Sequence, residues 1–234
     1  MTMKAFNSDI SVKCRYLDRV RAHAAADEII HGKYWQDGKG CAVGCTIHGR
    51  NHMAYERELG IPVMLARLED RLFEGQSNGK SKAFPERFLL AARVGADLSR
   101  VGWKFLYWLL TEELVNLDAP RVSRQIKRCA DVLIPLTKGE PMDRAETQAA
   151  ALDAALEARN AAYAAADAAD AAAADAAYAA YAAADAADAA AYADAADAAA
   201  DARSACYERM AEKLLQLMAE CEGEPLRVAM GAVA

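Results

Sequence analysis

The stretch AAYAAADAADAAAADAAYAAYAAADAADAAAYADAADAAADA (Ala161–Ala202) decides the fold class of this chain. Its 42 residues comprise 30 Ala, 8 Asp and 4 Tyr. Alanine has the highest intrinsic helix propensity, and neither Gly nor Pro interrupts Met142–Glu222. No segment elsewhere alternates apolar and polar residues over five or more positions, so the sequence predicts an all-α protein without a sheet.

The acidic and phenolic residues of this stretch recur at steps of three and four, which places them on one face of a helix. These residues are Tyr163, Asp167, Asp170, Tyr178, Tyr181, Asp185, Asp188 and Tyr192. We call the seven from Asp167 onward the Asp/Tyr face. Alanine covers the flanks of this face, so the sequence predicts a partner-binding surface of carboxylates and phenols between methyl groups.

Three interpretations of the alanine-rich stretch remain open at this point. Expansion of a repeat could produce a stretch of only Ala, Asp and Tyr that has no function. Aspartate would then only keep the helix in solution. The Asp/Tyr face could instead bind a cationic partner. If the acidic residues served only to keep the helix in solution, we would expect Glu among them, because Glu is a better helix former than Asp. Spaced carboxylates could also mimic nucleic-acid phosphates and bind a protein that binds nucleic acid.

The formal charge of −6 divides unevenly along the chain. The segment 143–222 carries 16 acidic and five basic residues, a net −11, so the remainder carries +5. With a pI of about 5.3, direct nucleic-acid binding is not expected. No apolar run is long enough to span a membrane, and the first ten residues, MTMKAFNSDI, lack the apolar stretch of a signal peptide. We therefore expect a cytoplasmic protein with free thiols and no membrane partner.

Length, glycine and proline divide the chain into three predicted parts. Residues 1–140 form a helical region around a Cys/His glycine-rich loop, 141–222 an alanine-rich acidic helical region, and 223–234 a C-terminal tail. One helix over the second part would be about 120 Å long, so we expect it to fold back as packed helices. In the first part, Ser8 or Asp9 is expected to cap a helix, and Pro62 to begin another that ends near Gly75.

The glycine-rich loop contains Cys41, Cys45, His48 and His52 within twelve residues. Two thiols and two imidazoles are a common ligand set for structural zinc, so these four residues are the predicted metal site. The spacing C-x3-C-x2-H-x3-H is not that of common zinc fingers, and convergence on one ion requires breaks at Gly44 and Gly49. Three alternatives remain open: a core of satisfied thiols and imidazoles, a reactive thiolate with histidine as base, and anion binding by backbone amides.

The same loop also contains a candidate pocket for a small polar ligand. Aromatic, amide and carboxylate side chains could converge there, namely those of Trp35, Gln36, Asp37, Tyr55 and Glu56.

The stretch YWQDGKGCAVGCTIHGRNHMAYERELGIPVMLARLEDRLFEG (Tyr34–Gly75), with GADL and FLYWLL downstream, resembles an uncharacterised family of bacteriophage and bacterial proteins with a GCAVGCTxH loop. The alanine-rich C-terminal half, which closes in AEKLLQLM (Ala211–Met218), is similar to alanine-rich immunity proteins. The resemblance implies an origin in phages or mobile elements and a role in blocking or resisting another macromolecule.

The leading hypothesis is a non-enzymatic binding or inhibitory protein, of the immunity or anti-defence type, with a structural zinc site. Its Asp/Tyr face would bind a basic protein surface or a nucleic-acid-binding protein. The alternative is a small-molecule binder, or a hydrolase dependent on zinc or thiolate, with its site in the Trp35–Glu56 loop. The sequence leaves the oligomeric state open, and a homo-oligomer is among the alternatives.

Overall fold

The computed structural model of this chain describes residues 3–113, 120–140 and 188–224. Helices account for most of these residues, which confirms the all-α prediction. The α-helices, numbered in chain order, are α1 Ile10–Ala25, α2 Ala42–Ile47, α3 Val63–Gly75, α4 Asn78–Ser81, α5 Phe84–Ala91, α6 Val101–Trp108, α7 Pro120–Lys138 and α8 Asp188–Ala219. A 3-10 turn covers Ala5–Ser8, and π-helical turns cover Tyr55–Leu59 and Leu109–Glu113.

Local signals set several helix boundaries as expected. The Asp9 carboxylate caps α1 by accepting a 2.8 Å hydrogen bond from the Ser11 amide. Pro62 is the N-cap of α3, one residue outside the helix rather than its first residue, and α3 ends at Gly75 as predicted. Both predicted helix starts are therefore confirmed to within one residue.

A two-stranded antiparallel hairpin corrects the prediction that the chain has no sheet. Strand β1 (Trp35–Gln36) pairs with β2 (Lys39–Gly40), and Asp37 and Gly38 form the turn with φ of 53° and 80°. Two consecutive residues with positive φ define the turn that best matches the twist of a hairpin, and Asp-Gly is one of its preferred sequences. Strands of two residues are too short to show alternation, so only this dipeptide signalled the hairpin.

The chain divides into two compact units, Met1–Phe105 with Arg203–Ala234, and Leu106–Ala202. Residues 203–222 thus group with the N-terminal helices, whereas the sequence placed them in the alanine-rich region. In the second unit, the π-helical turn Leu109–Glu113 packs against α7.

The core of the first unit is built from aromatic and aliphatic side chains, and it also encloses a charged one. Phe6, Phe88 and Phe105 are among its fully buried residues. The buried Lys13 ammonium donates hydrogen bonds to the carbonyls of Leu90 and Ala92, at 3.0 and 2.6 Å. Lys13 thereby satisfies carbonyls at the C-terminal end of α5, and burial lowers its pKa to about 8.

The C-terminal part of α8 packs on the N-terminal helices through an apolar stripe. Ala211, Leu214, Leu215 and Met218 are buried at helical spacing. Beyond the helix, the backbone of Glu224 exchanges two hydrogen bonds with Val94, at 2.9 and 3.0 Å. Residues 225–234 of the predicted tail lie outside the described residues.

Most of the alanine-rich stretch also lies outside the described residues, including Asp167, Asp170, Tyr178, Tyr181 and Asp185 of the Asp/Tyr face. Asp188 and Tyr192 belong to α8, where the predicted helix is confirmed. The folding back of residues 141–222 stays a prediction. Among the described residues, no helix combines the length and the apolar character that a membrane span requires.

We expect Leu214→Ala to lower the free energy of unfolding by about 2–5 kcal/mol, because it leaves a cavity where α8 meets the N-terminal core. Gln216→Ala, at an exposed position two residues away on the same helix, should change it by less than about 0.5 kcal/mol. Urea unfolding followed by circular dichroism measures both. Equal effects of the two substitutions would contradict this packing.

Candidate functional site

The glycine-rich loop is held against α2 by a close backbone contact. The Tyr34 carbonyl lies where a side chain would begin at two glycines, since a Cβ at Gly40 or Gly44 would be 2.1 or 1.4 Å from its oxygen. Only glycine permits this approach. The contact places the hairpin over α2 and sets the positions of Trp35 and of both cysteines.

Both thiols of the predicted metal set are buried beneath the hairpin. Cys41 is the N-cap of α2 and accepts a 3.5 Å hydrogen bond from the Gly44 amide, while Cys45 donates to the Gly40 carbonyl at 3.3 Å. Burial raises the pKa of Cys41 far above its ordinary value and that of Cys45 to about 12. Both sulfurs are therefore protonated at neutral pH and are poor nucleophiles.

One group of rings lies where α1 and α2 end. His23 Nε2 and His48 Nε2 are 2.7 Å apart, and His23 Nδ1 lies 2.6 Å from Glu28 Oε2. Trp35 stacks on His48, with centroids 4.6 Å apart and planes 13° apart, and meets His23 edge-on at 5.4 Å. Burial, together with the nearby Arg19 and His23, lowers the pKa of His48. We call these four residues, His23, Glu28, Trp35 and His48, the histidine cluster.

A second group surrounds the carboxylate of Asp70 on α3. His52 Nε2 lies 3.3 Å from Asp70 Oδ2, and the Tyr34 ring meets the His52 ring edge-on at 5.6 Å. The Asp70 charge is the main cause that raises the pKa of Tyr34. The other oxygen, Asp70 Oδ1, is buried and has no hydrogen-bond partner.

A tyrosine and a glutamate are fully buried below this second group. The Tyr55 hydroxyl lies 2.7 Å from Glu69 Oε2, and Glu69 Oε1 has no partner. Burial raises the pKa of both side chains well above their ordinary values, which favours the neutral form of each.

The four predicted zinc ligands fall into separate groups of contacts. Cys45 faces backbone groups and His48 pairs with His23, while Cys41 and His52 both interact with Asp70. Within the described ranges, no group of three or more His, Cys, Asp or Glu side chains is placed to hold a metal ion. Zinc binding by Cys41, Cys45, His48 and His52 stays a prediction, and it would require these contacts to rearrange.

The predicted pocket residues lie on different parts of the loop. Trp35 belongs to the histidine cluster, while Gln36 and Asp37 are exposed in the hairpin. Tyr55 is buried against Glu69, and Glu56 accepts a 2.9 Å hydrogen bond from the Val63 amide at the start of α3.

Sequence analysis missed the partners that complete both groups. His23 and Glu28 precede the loop, and Asp70 follows it in α3, so spacing within the loop could not find them. One available signal was the small number of histidines, because the chain has only four and just two of them, His23 and His31, lie outside the Cys41–His52 motif.

Comparison with family models, with curated proteins and with solved structures gives no match for this chain. Any functional conclusion therefore depends on the chain's own residues.

Two tyrosine–glutamate pairs, Tyr55–Glu69 and Tyr16–Glu58, predict opposite effects of pH on the free energy of unfolding. In the folded protein, Glu69 stays protonated at pH values above its ordinary pKa of 4.5. The free energy of unfolding of the protein therefore falls as the pH rises above that value. Gln at position 69 does not titrate and can still accept the Tyr55 hydroxyl. We expect the stability of Glu69→Gln relative to the native protein to increase from about pH 4 to neutral pH.

Glu58 is the matched control, because it also accepts a tyrosine hydroxyl, that of Tyr16 at 2.7 Å. Hydrogen bonds from Arg57 and Tyr16 lower its pKa, so its stabilising contribution is present at neutral pH and lost in acid. Glu58→Gln should therefore lose stability relative to the native protein over the same pH range. Urea midpoints at the two pH values measure both changes, and shifts of the same sign would refute the assignment.

Proposed function

We propose that this chain is a non-enzymatic binding protein that uses the Asp/Tyr face of its alanine-rich helical region against a basic protein surface. Because the sequence resembles phage and immunity proteins, we infer that this binding inhibits the partner protein, in immunity or anti-defence. We place this activity in the cytoplasm, where the free cysteines would stay reduced.

The observation that carries this proposal is the way in which α8 packs in its described part. Glu208 pairs with Lys80, and Glu212 accepts two 2.7 Å hydrogen bonds from the Arg87 guanidinium. The ring of Tyr207, which directly precedes Glu208 in the sequence, lies 5.8 Å from the Arg71 guanidinium. This helix thus binds lysine and arginine of its own chain with carboxylates and a phenol.

The Asp/Tyr face combines the same two kinds of side chain, carboxylates and phenols, on one face of a predicted helix. Exposed ion pairs contribute about 0–1 kcal/mol each, so carboxylates alone would bind weakly. Alanine flanks would let a partner approach closely, and phenols would add buried area and cation–π contacts. Asp185 and Asp188 are three residues apart in the sequence, so on the predicted helix their like charges would repel each other and a partner's cations would relieve this repulsion.

The thiols support the non-enzymatic part of this proposal. Burial holds Cys41 and Cys45 in the protonated form, which is not the nucleophilic one. The zinc site predicted from Cys41, Cys45, His48 and His52 stays a prediction, because it would require both thiols to lose their protons and His48 to leave His23. If it forms, the purified protein should contain one zinc per chain that Cys45→Ala lacks.

Charge reversal tests the Asp/Tyr face. We expect Asp185→Lys/Asp188→Lys to weaken binding of the captured partner by about tenfold or more, the equivalent of about 1.4 kcal/mol. The partner is first captured from host lysate, identified by mass spectrometry and purified. Its affinity for both proteins is then measured by calorimetry at two salt concentrations, because a charged interface weakens with salt.

The matched control reverses two exposed carboxylates elsewhere, in Asp18→Lys/Glu112→Lys. It has the same net charge and should bind as the native protein does. The proposal fails if both double variants weaken binding equally, or if the captured partner presents no basic surface.

Asp70 favours a second candidate function, binding of a small molecule by the glycine-rich loop. Its buried, unpartnered Oδ1 is an acceptor without a donor, and burying such an atom is costly. Tyr34, which is exposed, and His52 flank this carboxylate. A carboxylate between two rings suits a small cation with N–H donors, such as a guanidinium or an amine. This observation favours a binder over a hydrolase dependent on zinc or thiolate.

Thermal shift measurements with free arginine and putrescine test this candidate. A cation that fills the site should raise the melting temperature of the native protein but not that of Asp70→Asn. Asp37→Asn, in the exposed hairpin turn, is the control and should respond as the native protein does. Equal shifts in Asp70→Asn, or none in any protein, would exclude these cations as ligands.

A further inference from the structure

We propose that His23 and His48 are the two protein ligands of an open binding site for a first-row transition-metal ion such as Zn²⁺, with Glu28 orienting His23. This inference is independent of the proposed partner binding. It also differs from the predicted four-ligand zinc site, because it keeps only His48 from that set and excludes both thiols.

The hydrogen bond to Glu28 determines which nitrogen of His23 is available. Nδ1 lies 2.6 Å from the carboxylate oxygen, so the neutral ring carries its proton there and donates it. The lone pair of Nε2 then points toward His48 Nε2, 2.7 Å away. Metal-binding histidines very commonly donate their other ring N–H to a carboxylate in this way, which fixes the ring and increases its basicity.

The second ring is held as firmly as the first. His48 ends α2 in the left-handed backbone region at φ 51°, a conformation that is uncommon outside glycine. Trp35 covers one face of its imidazole at 4.6 Å and also meets His23 edge-on. The two histidines therefore project from different helices, α1 and the end of α2, toward one point. Ligands on rigid elements with supported rings are what a preformed metal site needs.

A direct hydrogen bond from His48 Nε2–H to His23 Nε2 accounts for the same 2.7 Å distance. Zinc–nitrogen bonds of about 2.0–2.1 Å at a tetrahedral angle place two ligand nitrogens roughly 3.3 Å apart. The ring centroids lie 5.0 Å apart, so the two Nε2 atoms point almost directly at each other. The rings would therefore need to separate by about 0.6 Å, the difference between these two distances, and also to tilt so that both lone pairs meet at one ion. The direct hydrogen bond and the metal-bound arrangement exclude each other, so the outcome depends on whether the ion is bound.

The coordination of such an ion would be incomplete on this chain. The part of the chain that the structure describes places no third His, Cys, Asp or Glu with the pair. Water or an external ligand would complete the shell, as at sites that keep an open position. His48 is exposed and His23 partly exposed, so the ion would have access from solvent. We therefore expect reversible binding rather than a structural ion on which folding depends.

The test uses the full chain, freed of metal with a chelator and titrated with zinc chloride by calorimetry. The native protein should bind one Zn²⁺ per chain. His23→Ala and His48→Ala should each weaken binding at least about tenfold, and Glu28→Gln should weaken it by about 10–100-fold. Because Glu28→Gln keeps both rings, it also reports on the site if an alanine variant fails to fold.

Two control variants separate this site from other sources of binding. His31→Ala removes a histidine outside the cluster, and Cys45→Ala removes a thiol of the predicted four-ligand set. Both should bind Zn²⁺ as the native protein does. The Co²⁺ complex should lack the intense charge-transfer absorption of a thiolate ligand.

Three results would overturn this inference. They are the absence of zinc binding by the native protein, unchanged binding in both His23→Ala and Glu28→Gln, and loss of binding in Cys45→Ala with a thiolate band in the cobalt spectrum. The last result would instead support the four-ligand zinc site. Partner capture through the Asp/Tyr face is measured separately, so either proposal can fail without the other.

Discussion

The Tyr34 carbonyl lies directly against the backbone of Gly40 and Gly44, and the arrangement of the whole loop depends on this contact. A single methyl group at either glycine would occupy the position of the carbonyl oxygen. With both glycines, the hairpin closes over α2, which buries the thiols and brings Trp35 onto His48. Packing of backbone on backbone thus positions the side chains of the candidate site.

The environment of each polar side chain then decides its chemistry. The thiols are buried among backbone carbonyls and amides, and this burial keeps them protonated. Two histidines meet carboxylates instead, His23 at Glu28 and His52 at Asp70. The motif that suggests four equivalent zinc ligands therefore consists of two buried thiols and two histidines in separate groups.

Opposite charges on the two halves of the sequence have a structural counterpart where α8 packs. Glu208 and Glu212 reach Lys80 and Arg87, while Leu214 and Met218 are buried on the same helix. Exposed ion pairs of this kind contribute little stability, so the apolar stripe supplies most of it and the charges fix the register. A helix that binds basic residues of its own chain is the reason to consider the Asp/Tyr face as a binding surface.

Propensity, capping and proline act over a few neighbouring residues, so the amino-acid sequence alone predicts the helical class, the cap at Asp9 and, to within one residue, the helix Val63–Gly75. It also showed the unusual density of cysteine and histidine in the loop. The roles of His23, Glu28 and Asp70 in completing the two groups became visible only in the folded chain. These residues come from α1, the segment that follows it and α3, and their pairing depends on how the elements pack rather than on any spacing along the chain. The hairpin depends on both the local sequence and the tertiary structure. Asp37-Gly38 permits the turn, and the close approach of the Tyr34 carbonyl to Gly40 and Gly44 positions the hairpin.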